Sequence, residues 1–230
     1  MITRYSLTAT ADVLQAKYKA EVPERYKPIY NAAPTHLLPV ITHDSQKGFS
    51  FFYWGAPPEW ARNKALGEKI INVRTETLAE KTALRKKLLA HRCIVPADGF
   101  YEWKRIGKKT NIPYRFTLAD KELFAIAGMW EEYENEAGET NHTFTILTVP
   151  ASAADSAIAA RIPFVLSPES VHDWLNASQE DVIMNILSNP VTGFEHYSVS
   201  SLINSPDRND KLAIMPSPPA DQYGNLTLFD

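Results

Sequence analysis

The stretch Arg92-Cys93-Ile94-Val95-Pro96-Ala97-Asp98-Gly99-Phe100-Tyr101-Glu102-Trp103 decides the fold. From Cys93 to Trp103 it is rich in β-branched and aromatic residues, a composition that predicts a β-strand. Three more stretches of the same kind follow, at 114–118, 123–129 and 143–148. The turn-rich segments 105–111 and 135–141 separate them, and this spacing predicts antiparallel hairpins.

The rest of the chain predicts a mixture of strands and helices. We expect strands at Leu37–Thr42, Phe49–Trp54, Lys69–Val73 and Gly193–Val199, and helices at Thr8–Lys17, Thr75–Leu89, Pro168–Leu175 and Gln179–Leu187. Strands outnumber helices, and no regular βαβ alternation occurs. The prediction is therefore an α+β fold, with flanking helices around an antiparallel, barrel-like sheet. One domain is expected over residues 1–214, followed by an extended, proline-containing tail over 215–230.

Composition excludes several classes of protein. The 230 residues are 44% hydrophobic and 22% charged, which is typical of a soluble globular protein. No apolar run approaches the roughly 20 residues that span a bilayer, and the first residues do not resemble a secretory signal. A cytoplasmic protein without membrane contact is expected. The single cysteine, Cys93, excludes an internal disulfide, and its apolar neighbours indicate a core thiol rather than a nucleophile.

Motifs for metals and nucleotides are missing from the sequence. The six histidines do not have metal-binding spacing, and no glycine-rich phosphate loop is present. We therefore expect neither a metal nor a cofactor.

Charge is unevenly distributed along the chain. Segment 61–92 holds nine Lys/Arg and three acids, a net charge of +6 within a chain of net charge −3. Such a segment could bind phosphates on one face of the protein. The alternative, a solvated helix face around Arg85-Lys86-Lys87, is favoured when composition is considered alone.

Three polar segments are candidates for a functional site. In an extended Asn72–Glu76 segment, Asn72, Arg74 and Glu76 share one side, although the segment could equally be a helix N-terminus capped by Thr75. Glu102 lies between two aromatic residues, where apolar surroundings would raise its pKa and suit it to proton transfer. If that segment stood alone, an outward-facing surface glutamate would be the better interpretation. Arg161 is a possible phosphate contact that says little by itself.

Together these segments resemble the SRAP family, the SOS-response-associated peptidases or abasic site processing proteins. The resemblance runs from Met1 to about Asn204. The matching pieces are Arg4-Tyr5-Ser6-Leu7, Tyr30-Asn31-Ala32-Ala33-Pro34-Thr35, Trp54-Gly55 with Pro58 and Trp60, Asn72-Val73-Arg74-Thr75-Glu76-Thr77, the 92–103 stretch, Ala127-Gly128-Met129-Trp130-Glu131, Thr145-Ile146-Leu147-Thr148 and Arg161-Ile162-Pro163.

The resemblance implies a function in the SOS response to DNA damage. Family members bind single-stranded DNA at an abasic site, and their N-terminal cysteine condenses with the sugar aldehyde to close a thiazolidine. By this resemblance Asn72 and Glu102 are catalytic. The implied DNA contacts are Arg4, Trp60, Arg74, Thr148 and Arg161. A monomer that acts in the cytoplasm and associates with the nucleoid after damage is expected.

The chain departs from the family pattern at two positions. The family begins Met-Cys-Gly-Arg, whereas this chain begins Met1-Ile2-Thr3-Arg4. The family's His-acid-Arg-Met-Pro run is Ala159-Ala160-Arg161-Ile162-Pro163 here. Ile2 therefore stands at the nucleophile position and Ala159 at the catalytic histidine position. Because Ile2 is large, we expect Met1 to be retained.

Three hypotheses follow from these departures. The first is a protein that binds single-stranded or abasic DNA without the stable crosslink. The second is residual Schiff-base lyase or peptidase activity through the Met1 amine and Glu102. The third is a non-catalytic protein-interaction module that no longer binds DNA.

Overall fold

The computed structural model describes residues 1–57, 71–107, 110–134 and 138–226. The strands in these ranges are β1 Tyr5–Leu7, β2 Ile29–Ala32, β3 Leu37–Thr42, β4 Ser45–Trp54, β5 Asn72–Arg74, β6 Arg92–Ala97, β7 Gly99–Ile106, β8 Thr110–Thr117, β9 Phe124–Glu134, β10 Thr140–Pro150, β11 Arg161–Pro163, β12 Val165–Leu166 and β13 Glu195–Ser198. The helices are α1 Ala11–Tyr18, α2 Thr75–Glu80, α3 Thr82–Ala90, α4 Ser170–Asn176 and α5 Glu180–Ile186. Two 3-10 helices, Ser201–Asn204 and Lys211–Ile214, follow the last strand.

The centre of the fold is a closed five-stranded barrel. Its strands follow one another in the order β10-β4-β3-β6-β9, and β9 pairs again with β10. Each of these pairs is antiparallel except β4 with β10, where Thr143 lies opposite Tyr53. The α+β prediction with a barrel-like sheet is therefore confirmed.

Strand β10 also positions β5, the short strand that carries two predicted site residues. Beyond the end of β4, β5 pairs with β10 in the parallel sense, with Asn72 opposite Ile146 and Arg74 opposite Thr148. Helix α2 begins directly after β5, at Thr75. The end of β5 and the start of α2 therefore lie beside Thr148.

A second sheet, in the order β13-β8-β7-β1-β2, holds the first strand of the chain. The prediction of one strand over 93–103 is wrong, because β6 belongs to the barrel and β7 to this second sheet. Asp98 makes the corner between them. Its carboxylate accepts hydrogen bonds from Ser6 Oγ and from Arg115 Nη2, both at 2.7 Å. A Cβ on Gly99 would lie 2.7 Å from Arg115 Nε, so a larger residue there would displace the guanidinium that binds Asp98.

The barrel encloses the only cysteine. The Cys93 side chain is fully buried, and burial raises the pKa of its thiol. A Cβ on Gly128 of β9 would lie 2.9 Å from Cys93 Sγ, so the sulfur occupies space that only a glycine leaves. The expectation of a core thiol is confirmed.

Several element boundaries differ from the prediction. Helix α1 begins at Ala11 rather than Thr8, since Thr8 Oγ1 donates to the Asp98 carboxylate at 2.6 Å. Strand β4 begins at Ser45, so the turn after β3 is shorter than expected.

The C-terminal segment continues along the second sheet. Pro216 forms a bridge with Val199, and the Ser217 N–H donates to the Ser198 carbonyl at 3.0 Å. The proposed tail boundary at residue 215 stays a prediction. Within the described residues, no helix is long and apolar enough to cross a membrane.

Candidate functional site

The N-terminal segment, residues 1–4, precedes β1 and is held beside β7 of the second sheet. Tyr5 pairs with Phe100 of β7, and the Tyr101 N–H donates to the Arg4 carbonyl at 3.1 Å. The Ile2 side chain is fully buried within the core, whereas Met1 is 59% exposed. The segment therefore uses position 2 as a packing residue and leaves the terminal residue in contact with solvent.

Glu102 lies beside this N-terminus. Its Oε1 is 3.6 Å from the Met1 α-amine and makes no hydrogen bond with the described residues. The residue is 9% exposed, so the interpretation of an outward-facing surface glutamate is wrong. Burial raises the pKa of Glu102 to about 7, against the opposing effects of the Met1 ammonium and the Trp103 N–H. A carboxyl group with this pKa can hold or release a proton near neutral pH.

Asn72 approaches the same segment from β5. Its Nδ2 donates to the Ile2 carbonyl at 2.7 Å, while its Oδ1 is buried without a partner in the described part of the chain. Asn72 and Glu102, which stand far apart in the sequence, thus meet around residues 1 and 2. Buried polar atoms are normally hydrogen-bonded, so Asn72 Oδ1 and Glu102 Oε1, which have no hydrogen-bond partner among the described residues, mark a polar site.

Arg161 is bound by the protein itself. Its Nη1 and Nη2 donate to the two carboxylate oxygens of Glu76, each at 2.8 Å. Its Nε donates to Thr148 Oγ1 at 3.2 Å, and Nη2 also donates to the Thr148 carbonyl at 2.7 Å. Because Arg161 binds the Glu76 carboxylate, the pKa of Glu76 falls to about 2. We call Arg161, Glu76 and Thr148 the rim clamp.

Sequence reasoning placed Glu76 beside Arg74 but missed that it binds Arg161. No sequence pattern indicated this pair, because Glu76 lies in the first turn of α2 and not on the extended strand. The alternative interpretation, a helix N-terminus, describes the backbone, since α2 begins at Thr75 with Glu76 in its first turn. Thr75 does not cap that helix, because the N-cap position is Arg74.

The remaining predicted contacts differ in accessibility. The Arg74 side chain is exposed and makes no hydrogen bond or ion pair with the described residues. Arg4 is partly buried, which lowers its pKa, and it donates to the carbonyls of Thr3 at 2.8 Å and Asn204 at 3.4 Å. Ala159 is 1% exposed and offers no polar side-chain atom. Trp60 lies outside the described residues.

The basic segment is not a continuous phosphate-binding face over its described part. Arg85 pairs with Glu180 at 3.0 Å, and Lys87 pairs with Glu131. Arg92 is buried and donates to the carbonyls of Leu89, Trp174 and Ala177, each at 2.6 Å. The exposed cations of this part are Arg74, Lys81 and Lys86.

Metal ligands are not clustered in the described residues. No group of three or more His, Cys, Asp or Glu side chains in them could hold a metal ion. The candidate site brings together a carboxyl group with a pKa of about 7, a side-chain amide and a primary amine.

Comparisons with known proteins agree with this architecture. The model of the family described as SOS response associated peptidase (SRAP) matches residues 1–206. The abasic site processing protein YoqW of Bacillus subtilis is 38% identical over 216 residues, which are 91% of this chain and 96% of that protein. The abasic site processing protein HMCES of Xenopus tropicalis is 27% identical, over 81% of this chain and 65% of its own.

A solved structure supports the same conclusion about the fold. A protein from Bacteroides thetaiotaomicron superposes with a TM-score of 0.78 at 27% identity, covering 94% of this chain and 99% of its own.

Proposed function

This chain belongs to the SRAP family, and on that premise we propose that it binds single-stranded DNA at abasic sites without forming a thiazolidine crosslink. One observation carries the proposal: no thiol is near the site. Ile2 stands at the family's nucleophile position with its side chain fully buried. The only cysteine, Cys93, is sealed inside the barrel. A thiazolidine needs a sulfur beside the condensing amine, so the ring cannot close here.

Two cations near the site, Arg74 and Arg4, support the DNA-binding part of the proposal. Arg74 is an exposed cation two residues along β5 from Asn72, which contacts the N-terminal segment. Arg4 provides a second cation, with a guanidinium Nε that has no partner among the described residues. Phosphates that bind such cations release counterions, so affinity falls as salt concentration rises. Arg161 could join them only by exchanging Glu76 for a phosphate.

The test uses abasic single-stranded DNA. The unaltered protein should bind this strand reversibly, with an affinity that falls as salt rises, and leave no heat-stable adduct. The variant Ile2→Cys/Thr3→Gly should lose Met1 and form some adduct. Ile2→Ser/Thr3→Gly is the matched control, because its small second residue also permits Met removal but supplies no thiol. Intact-mass measurement establishes the first residue of each protein.

Two outcomes would contradict the proposal. A heat-stable adduct with the unaltered protein would show that the missing thiol is not limiting. Binding that is absent, or unchanged by salt, would favour the third hypothesis, an interaction module without DNA affinity.

A second function has its own supporting observation, the 3.6 Å separation of the Met1 amine from a carboxyl group with a pKa of about 7. The amine nitrogen would add to the aldehyde carbon of an opened abasic sugar. Glu102 would donate the proton with which water leaves, giving a reversible imine. Such an imine would support lyase activity.

Borohydride reduction traps this imine as a stable amine. Trapping that is lost in Glu102→Gln, with DNA binding retained, would support this activity. Equal trapping in both proteins would assign Glu102 no part in it.

A further inference from the structure

A cleft of about 380 Å³ lies beside the N-terminal site and is lined by Ile29, Asn31, His36, Leu37, Leu38, Pro206, Asp207 and Asn209. It is bordered by β2 and the start of β3 on one side and by the segment after the first 3-10 helix on the other. Arg4 connects it to the site: its Nη2 contacts the Asn204 carbonyl, and its positive charge acts on His36. The cleft therefore lies next to Arg4, one of the candidate DNA contacts.

The walls of the cleft are fixed by hydrogen bonds. Asn209 Oδ1 accepts from the N–H groups of Tyr30 at 2.7 Å and Asn31 at 3.3 Å, while its Nδ2 donates to the Pro28 carbonyl. Asn31 Nδ2 donates to the carbonyls of Ile203 and Ser205, the latter at 2.8 Å. These bonds join β2 to the C-terminal segment, so the cleft is preformed.

Two polar groups of the cleft remain available to a ligand. His36 Nδ1 accepts the Ala33 N–H at 3.3 Å, which places the ring proton on Nε2. Burial and the nearby Arg4 lower the pKa of His36, so the ring is a neutral N–H donor at neutral pH. Asp207 is exposed and makes no hydrogen bond with the described residues, and its charge acts on His36. One N–H donor and one two-oxygen acceptor therefore belong to the same cleft.

The other lining groups are largely apolar. Leu37 is 42% exposed, and it lines the cleft together with Ile29, Leu38 and Pro206. A phosphate is disfavoured here, because Asp207 would repel it. A small ligand with an apolar body and polar edges is favoured, because apolar walls with a few placed polar groups are typical of small-ligand sites.

We propose that this cleft binds a guanine base. Guanine offers two adjacent N–H donors, on N1 and N2, to the Asp207 carboxylate, and its O6 accepts from His36 Nε2. Adenine, cytosine and thymine lack two adjacent donors on different nitrogens, so they match the carboxylate less well. The guanine could be a base of a DNA strand that passes Arg4, and in that case the proposal rests on the proposed DNA binding. A free guanine nucleotide would present the same N1, N2 and O6 groups to Asp207 and His36.

The experiment uses thymidine strands with one abasic site, in which one neighbouring thymine is replaced by guanine, adenine or cytosine at successive positions on either side. The guanine strand should bind the unaltered protein about five- to tenfold more tightly at one position, the effect of one or two hydrogen bonds. His36→Phe keeps a ring but removes the donor, and Asp207→Ala removes the acceptor. Each should abolish the guanine preference. Asp12→Ala on α1 removes an exposed charge outside the cleft and should retain it.

The outcomes separate this proposal from the proposed function. Equal affinity for all four bases in a protein that binds abasic strands would overturn the guanine site alone. If no strand binds, the proposed function fails, and titration with guanosine monophosphate then tests the cleft by itself. Saturable binding of that nucleotide that is lost in His36→Phe and Asp207→Ala would assign the cleft to a free nucleotide. No binding of any strand or of the nucleotide would overturn it.

Discussion

Glu102 on β7 and Glu76 in the first turn of α2 have pKa values that are shifted in opposite directions. Glu102 is buried beside Met1, and its pKa is raised to about 7. Glu76 is half exposed at the rim and binds both terminal nitrogens of Arg161, and its pKa is lowered to about 2. The difference arises from burial in the first case and from a guanidinium in the second.

The comparison separates a carboxyl group that changes protonation near neutral pH from a carboxylate that anchors a guanidinium. Glu102 changes protonation near neutral pH, as a proton donor or acceptor must. Glu76 stays ionised over the whole physiological range and serves to hold Arg161. The four predictions below test this contrast through the free energy of unfolding, from the largest expected change to the smallest.

Glu102→Gln should stabilise the protein at pH 8 by about 3 kcal/mol, which is the free-energy equivalent of the rise in the pKa of Glu102 from 4.5 to about 7. A carboxyl group whose pKa is raised on folding contributes full stability below its unfolded value of about 4.5, and this contribution is lost as pH rises to about 7. Urea unfolding between pH 4 and 8 measures the effect. Glu24→Gln, at an exposed position, is the control.

Equal stability of Glu102→Gln and the unaltered protein at pH 8 would mean that Glu102 is not destabilised by burial. Lower stability of the variant would indicate that hydrogen bonds to the ionised form hold the carboxylate, which is the structural role for Glu102.

Arg161→Ala should destabilise the protein by about 2 kcal/mol, since it leaves the buried Thr148 hydroxyl and carbonyl without this donor. Arg161→Lys keeps the charge but not the paired nitrogens, and it should recover only part of the loss. Thermal unfolding of both variants gives the difference. If the free energy of unfolding of Arg161→Ala equals that of the unaltered protein within the measurement error, the rim clamp does not stabilise the fold.

Glu76→Gln should cost about 1 kcal/mol, because solvent screens an exposed ion pair. The lowered pKa implies that this contribution is present above about pH 4.5 and is lost as pH falls toward 2. The variant should also bind single-stranded DNA more tightly, since the Arg161 guanidinium is released from its carboxylate. Weaker DNA binding by Glu76→Gln would instead mean that Glu76 holds Arg161 in the orientation that DNA requires.

Arg74→Ala should change stability by less than about 0.5 kcal/mol, as expected for an exposed side chain. Its effect should appear in DNA binding, as lower affinity and a salt dependence reduced by about one counterion. Lys86→Ala, an exposed cation on α3, is the matched control. Equal effects of the two substitutions would mean that Arg74 contributes only general charge.

Local sequence patterns predicted much of the fold. The β3 range was predicted residue for residue, and the β7–β8 and β9–β10 hairpins were predicted because each joins strands that are neighbours in the sequence. The parallel pairing of β4 with β10 was not, because it joins residues about ninety positions apart. The corner at Asp98 was missed because its cause lies in Ser6 and Arg115, which are remote in sequence.

The candidate site shows the same division between local and remote information. The chemical types of Glu102, Asn72 and Arg161 could be read from the sequence, and the aromatic neighbours of Glu102 correctly suggested a raised pKa. The burial of Glu102 and the attachment of Arg161 to Glu76 depend on contacts that only the folded chain creates. The sequence therefore shows which residues are cations, but not which of them, like Arg161, are already bound to a carboxylate of the same chain.

The pairing of β1 with β7 has a consequence for the order of events during synthesis. Tyr5 lies opposite Phe100, so β1 cannot complete this pairing until about a hundred residues have been translated. At roughly 5–20 residues per second, this takes at least about 5–20 s. During that interval the edge of β1 that pairs with β7 has no partner, although its other partner, β2, has already been translated. The residues before β1 stay accessible to enzymes that act on nascent chains until the core that buries Ile2 has formed.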